Sequence, residues 1–106
     1  MSLKIYIAGP MTGLPECNYP AFYRAYDRLY LAGYDPLTPT DSEKENDEEK
    51  YSKPKDWYMR RAIRMVTQAD GIALLPGWET SEGVAQELEV AQMLDLDIRP
   101  LIDWLT

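Results

Sequence analysis

"ADGIALLPGWETSEGVAQELEVA", residues 69–91, places an apolar run, a turn-rich hinge and an amphipathic segment in immediate succession. "GIALLPG" (71–77) is short, apolar and bounded by glycines, which reads as a strand buried on both faces. From about Ser81 to Leu94 the apolar residues recur at helical spacing, with Val84, Leu88 and Ala91 on one stripe. A buried strand that turns directly into a helix is half of a β-α-β unit.

The rest of the chain repeats that alternation. "LKIYIAG" (3–9) is a second buried strand, followed by the turn-rich "GPMTGLPECNYP" and a helix over about Pro20–Leu31, with Asn18 or Tyr19 at its cap and Phe22, Ala25, Tyr26 and Leu29 inward. "YDPLTP" (34–39) carries two prolines and suits a sheet edge. Residues 40–56 are charged and nearly free of large apolar groups; they read as a solvated, mobile loop, with a lid over a site as the alternative. A helix over Asp56–Gln68, capped by Asp56, turns Met59, Ala62, Ile63 and Val66 to the core, and "IRPLID" (98–103) reads as a last strand. The whole predicts one α/β domain over residues 1–106, a small doubly wound, flavodoxin-like or Rossmann-like parallel sheet of about four strands with helices on both faces. Ligands then bind outside the carboxyl ends of the strands.

Composition narrows the chemistry. The net charge of −7 weighs against a nucleic-acid polymer or an anionic membrane as partner. No apolar run approaches the roughly 18 to 20 residues that cross a bilayer, and the N-terminus is too short and strand-like for a signal peptide, so the cytoplasm is the expected address. One cysteine, Cys17, and no histidine exclude an internal disulfide and a structural zinc site and remove the usual general base. No cofactor is expected. Acid–base or nucleophilic work falls to Asp, Glu, Tyr or Lys.

Against that background Glu87 is oddly placed, because it falls inside the apolar stripe of its helix. A carboxylate there costs several kcal/mol unless it is paired or protonated. An ion pair with Arg60, Arg61 or Arg64, or a face more exposed than the wheel suggests, would explain it without function. Ser81 is an obvious N-cap; its hydroxyl and the first free amides could also take a phosphate, with Gly83 allowing close approach. Gly9, Pro10 and Met11 open a second possible cradle after the first strand, although neither a dinucleotide nor a P-loop motif is present. Tyr6 suits core packing. Cys17 reads as a bystander, and the aromatics Tyr19, Phe22, Tyr23, Tyr26 and Tyr30 mostly serve a helix face, with one free to stack on a base.

Three separated pieces, "IYIAGPM", "ADGIALLPG" and "SEGVAQELEVA", together resemble the nucleoside 2-deoxyribosyltransferase superfamily, including its deoxynucleoside 5′-monophosphate N-glycosidases and small uncharacterised bacterial and phage relatives. The resemblance implies a hydrolase or transferase in which Glu87 is the nucleophile on C1′ of a deoxyribose, forming a covalent glycosyl-glutamate, and Tyr6 orients that carboxylate. Serine at position 81, where the nucleoside transferases carry an aspartate, points to a nucleoside 5′-monophosphate. It also implies a homodimer or larger homo-oligomer. One departure stands out: eight residues before Asp70, where the family carries an aspartate that assists departure of the base, this chain has Ala62. Asp41 or Asp56 could substitute, or the chain could be a catalytically silent nucleotide-binding module. A third expectation, an interaction domain whose acidic stretch 41–49 binds a basic partner, is the weakest.

Overall fold

The computed structural model describes residues 2–40 and 54–106. The acidic stretch, Asp41 and most of the charged loop expected over 40–56 lie outside them. The described elements run β1 (Lys4–Ala8), α1 (Tyr19–Leu31), β2 (Asp35–Leu37), α2 (Lys55–Gln68), β3 (Gly71–Leu74), α3 (Glu82–Met93), β4 (Asp97–Pro100) and α4 (Leu101–Leu105). All strand pairs are parallel and the order across the sheet is β2-β1-β3-β4, the small doubly wound α/β fold that the sequence predicts. Asp35–Leu37, within "YDPLTP", forms the edge strand β2, where the missing N–H of Pro36 costs no ladder bond.

Alternation along the central strands divides the core. Ile5, Ile7, Ala73 and Leu75 face α1 and α4, packing on Phe22, Ala25, Leu29, Leu101 and Trp104. Tyr6, Ala8, Ile72 and Leu74 face α2 and α3, packing on Ala62, Val66, Val84 and Ala91. Each buried strand therefore presents side chains to a helix layer on both sides, which is why β1 and β3 read as continuous apolar runs. Among the described residues no helix is long and apolar enough to cross a membrane.

Three boundaries differ from the sequence reading. The last apolar run is not a strand over 98–103: β4 ends at Pro100, which serves as the N-terminal cap of α4. Leu101 and Trp104, three residues apart, both turn onto the sheet, a helical spacing hidden in a short segment. Helix α2 starts at Lys55 behind Pro54, so Asp56 is not its cap but a first-turn acid. A short 3-10 turn, Trp78–Thr80, follows left-handed Gly77 (φ 88°) between β3 and α3.

Trp104 ties α4 to the sheet. Its indole Nε1 donates to the Ile72 carbonyl at 2.8 Å, its ring meets Tyr34 edge-on at 5.7 Å, and the Arg99 guanidinium lies 4.5 Å from its centre. Gly71 lies beneath it, where an added Cβ would come within 2.5 Å of the ring. Trp104→Ala should therefore cost about 3–5 kcal/mol, read as a lower urea midpoint in circular dichroism; an unchanged midpoint would mean that α4 contributes nothing to the core.

Candidate functional site

The strand order reverses between β1 and β3, since β2 lies to one side of β1 while β3 and β4 lie to the other. The connections leaving β1 and β3 diverge there to opposite faces, and a crevice opens at their carboxyl ends. In this protein the crevice is a cleft of about 550 Å³, a volume suited to a small molecule. Its floor and walls include Tyr6 of β1, Gly9–Thr12 of the following loop, Tyr58, Met59 and Ala62 of α2, and Thr80–Val84 with Glu87 of α3 and its approach.

Close backbone approach shapes the rim. A Cβ on Gly9 would come within 2.8 Å of the Leu75 side chain, so the β1 and β3 exits can lie this near only with glycine at position 9. Pro10 is anchored through its carbonyl, which accepts from the Asn18 amide at 3.0 Å. Asn18 itself closes a run of three left-handed residues with Glu16 and Cys17, at φ 62°, 53° and 52°. Cys17 does not line the cleft; of the aromatics in this region, Phe22 does so from beneath.

Glu87 is 7% exposed, and Tyr6, fully buried in the central strand, donates its phenolic hydrogen bond to Glu87 Oε2. The partner of the misplaced carboxylate is thus a tyrosine 81 residues away, not an arginine. Arg60 pairs instead with Asp56 at 3.7 Å on the exposed face of α2, and Arg61 donates to the Pro39 carbonyl. Burial dominates the electrostatics: it pushes the Glu87 carboxyl up from its ordinary 4.5 to about 7, against the opposing pull of the Tyr6 hydrogen bond. Burial likewise pushes the Tyr6 phenol well above 10, helped by the adjacent carboxylate and opposed by Arg61.

Ser81 caps α3 in extended conformation, its Oγ accepting from the Val84 amide at 3.3 Å. The hydroxyl keeps its own proton for a further acceptor. Gly83 follows within the first turn, where a Cβ would stand 3.6 Å from the Met59 methyl and 3.9 Å from Ser81 Oγ, narrowing the space between α2 and α3. The cleft therefore gathers Glu87, Tyr6, Ser81, Gly83, Gly9, Pro10 and Met11. It does not gather Asp56, which is exposed and ion-paired away from these walls. Ala62, 5% exposed, presents a methyl group where the resemblance expects a carboxylate. Asp70 lies at the opposite end of the sheet, accepting from the Lys4 amide at 2.8 Å.

A sequence profile for a domain of unknown function, DUF4406, matches residues 3–99, from β1 through all but the end of β4. The chain belongs to the DUF4406 family. No curated protein matches it. Within the DUF4406 domain, Tyr58, Pro39, Thr12 and Thr80 also line the cleft and escape the sequence reading, and Met59, read there as a core residue, lines it too. Tyr58 carried a readable signal, since it stands one helical turn before Ala62 on the same face of α2. Pro39 and Thr80 carried none, because only the sheet topology brings their loops together.

The raised Glu87 carboxyl has a stability consequence. Below pH 4.5 both folded and unfolded chains hold its proton; between pH 4.5 and 7 the unfolded glutamate ionises first, so stability falls with rising pH. The loss reaches about 3 kcal/mol above pH 7. Glu87→Gln keeps a hydrogen-bonding partner for Tyr6 and removes that loss. Its urea stability should exceed wild type at pH 8 by on the order of 3 kcal/mol more than at pH 4; equal differences at both pH values would refute the burial-driven shift.

Proposed function

We propose that this DUF4406 domain cleaves the N-glycosidic bond of a nucleoside 5′-monophosphate, with Glu87 as nucleophile. The observation that carries the reading is the buried carboxylate aimed into the switch-point cleft and held by a tyrosine hydroxyl beside a serine-capped helix N-terminus. In the first half-reaction a Glu87 oxygen attacks C1′, the C1′–N bond breaks, and its electron pair departs on the base nitrogen. In the second, water attacks C1′ and releases the carboxylate, so the configuration at C1′ is retained. Tyr6 keeps Glu87 in one orientation and supports its ionised form against the desolvation around it.

The phosphate is best received at the start of α3. The Ser81 hydroxyl donates to it, the free amides of the first turn add their dipoles, and Gly83 leaves the approach open. The site belongs to one chain as described; the homo-oligomer that the resemblance implies would add to it from outside.

Ala62 supports a second reading, a silent nucleotide-binding module, because α2 offers no carboxylate to assist base departure at that position. The two readings separate by chromatography of nucleotide incubations. The hydrolase releases free base in a manner abolished by Glu87→Gln, whereas the silent module is thermally stabilised by nucleotide without turnover and gains turnover only in Ala62→Asp.

For the hydrolase, kcat/KM should rise with pH to a plateau above about 7, as Glu87 loses its proton. Tyr6→Phe removes the hydrogen bond that lowers this pKa and so moves the rising limb to higher pH. A profile that falls with pH, or that is unmoved in Tyr6→Phe, would contradict the nucleophile assignment. Ser81→Ala should raise KM for the monophosphate more than for the matching nucleoside, beside a capping loss of about 1 kcal/mol in stability; equal KM changes would remove Ser81 from phosphate recognition.

A further inference from the structure

Behind the hinge between β3 and α3 lies a second cavity, which the glycosidic reading does not use. It encloses about 590 Å³ at the carboxyl ends of β3 and β4, on the α1 and α4 side of the sheet. That volume suits a small molecule. Among the described residues none lines both this cavity and the cleft. The partition between them is closely packed. Gly77 of the cavity abuts Pro10 of the cleft, where an added Cβ would come within 3.3 Å of the proline ring, and Asn18 donates to the Pro10 carbonyl from the cavity side.

The cavity walls carry two kinds of chemistry. Leu74, Leu75, Leu101 and the exposed Ile102 give it an apolar floor and rim. Arg24 and Arg28, exposed and one helical turn apart on α1, both line the opening. Among the described residues neither guanidinium forms an ion pair or a hydrogen bond, although Glu79 lines the same opening. The chain has 18 acidic against 11 basic side chains, so an unneutralised arginine pair is a local reversal of its charge. An ordinary solvated helix face would explain the arginines alone. It would not explain the aromatic wall beside them: Trp78 is half-buried, lines the cavity, and has an indole N–H without an acceptor among the described residues. Paired guanidinium forks grip a phosphate, and an indole receives a planar ring.

We propose that this cavity is a second binding site, for a phosphorylated aromatic ligand of nucleoside-monophosphate size. Arg24 and Arg28 take the phosphate, Trp78 and the apolar floor take the ring, and Glu79 accepts from an amine or hydroxyl at the ligand's edge. The site is separate from Glu87 and does not depend on the chemistry assigned to the cleft.

NMR titration of the isotope-labelled Glu87→Gln chain, which keeps nucleotide from being turned over, reads both places at once. The probes are the four common 2′-deoxynucleoside 5′-monophosphates and inorganic phosphate. The Trp78 indole N–H, assigned by its loss in Trp78→Phe, reports the second cavity, and the Gly83 amide reports the cleft. At least one nucleotide should shift the Trp78 resonance to saturation. Combining Arg24→Gln with Arg28→Gln should weaken that binding by about tenfold or more, with the Gly83 response and a folded spectrum retained. Ser81→Asp should do the reverse, weakening the Gly83 response alone. The second site would be overturned by a Trp78 resonance that no nucleotide moves, by a shift unaffected by loss of both arginines, or by one that vanishes with the Gly83 response in Ser81→Asp. An equal shift from inorganic phosphate alone would also overturn it, since the ring would then contribute nothing. A Gly83 response beside a silent Trp78 would leave the glycosidic reading standing without this site; a Trp78 response beside a silent Gly83 would support this site and count against nucleotide in the cleft.

Discussion

The hydrogen bond from Tyr6 to Glu87 is the constraint around which this domain is arranged. It joins the central strand β1 to helix α3 through the apolar layer, in a place where an unpaired carboxylate would be strongly unfavourable. Two opposing effects meet on Glu87. Loss of water raises its proton affinity, and the phenolic donor lowers it, leaving the group balanced near neutrality. A core optimised for stability alone would place an apolar side chain at position 87. A carboxylate retained there costs stability, and strongly perturbed ionisable groups of this kind cluster at functional sites.

Topology then decides what that carboxylate faces. Because β1 and β3 are adjacent but send their chains to opposite faces, the space above their carboxyl ends is not filled by either connection. Gly9 permits the two exits to approach, and α2 and α3 supply the walls. The start of α3 brings a serine cap and free amides to the same opening, the kind of place where an anion is favoured. Helix α3 brings Glu87 and its Ser81 cap to the opening, and α2 borders it with Tyr58, Met59 and Ala62. The second layer, with α1 and α4 on the far side of the sheet, serves to hold β1 and β3 rigid. Trp104, packed over Gly71, is its main fastening.

Much of this was legible in residues 69–91 and their counterparts, because periodicity is a local property. Two-sided burial wrote β1 and β3 as apolar runs, helical spacing wrote α3, and the same spacing marked Glu87 as out of place. Local rules failed where competing signals were short. "IRPLID" has a strand's composition, yet Pro100 ends the ladder and the Leu101–Trp104 spacing takes over. Asp56 resembles a cap, yet Pro54 already begins the helix.

The sequence by itself determined the alternation of strands and helices, the place of residue 87 on the apolar stripe of its helix and the capping of α3 by Ser81, since each depends on side chains within a turn or two of one another. Residue patterns left Glu87 between an arginine on α2 and the Tyr6 that the family resemblance implies, and only the tertiary structure decided for Tyr6, brought the Pro39 and Thr80 loops to the cleft and left Asp56 out of it. Those outcomes depend on which strand lies beside which and on how two helices pack across a parallel sheet. Such distances are set by burial of the whole core, and no spacing along the chain encodes them.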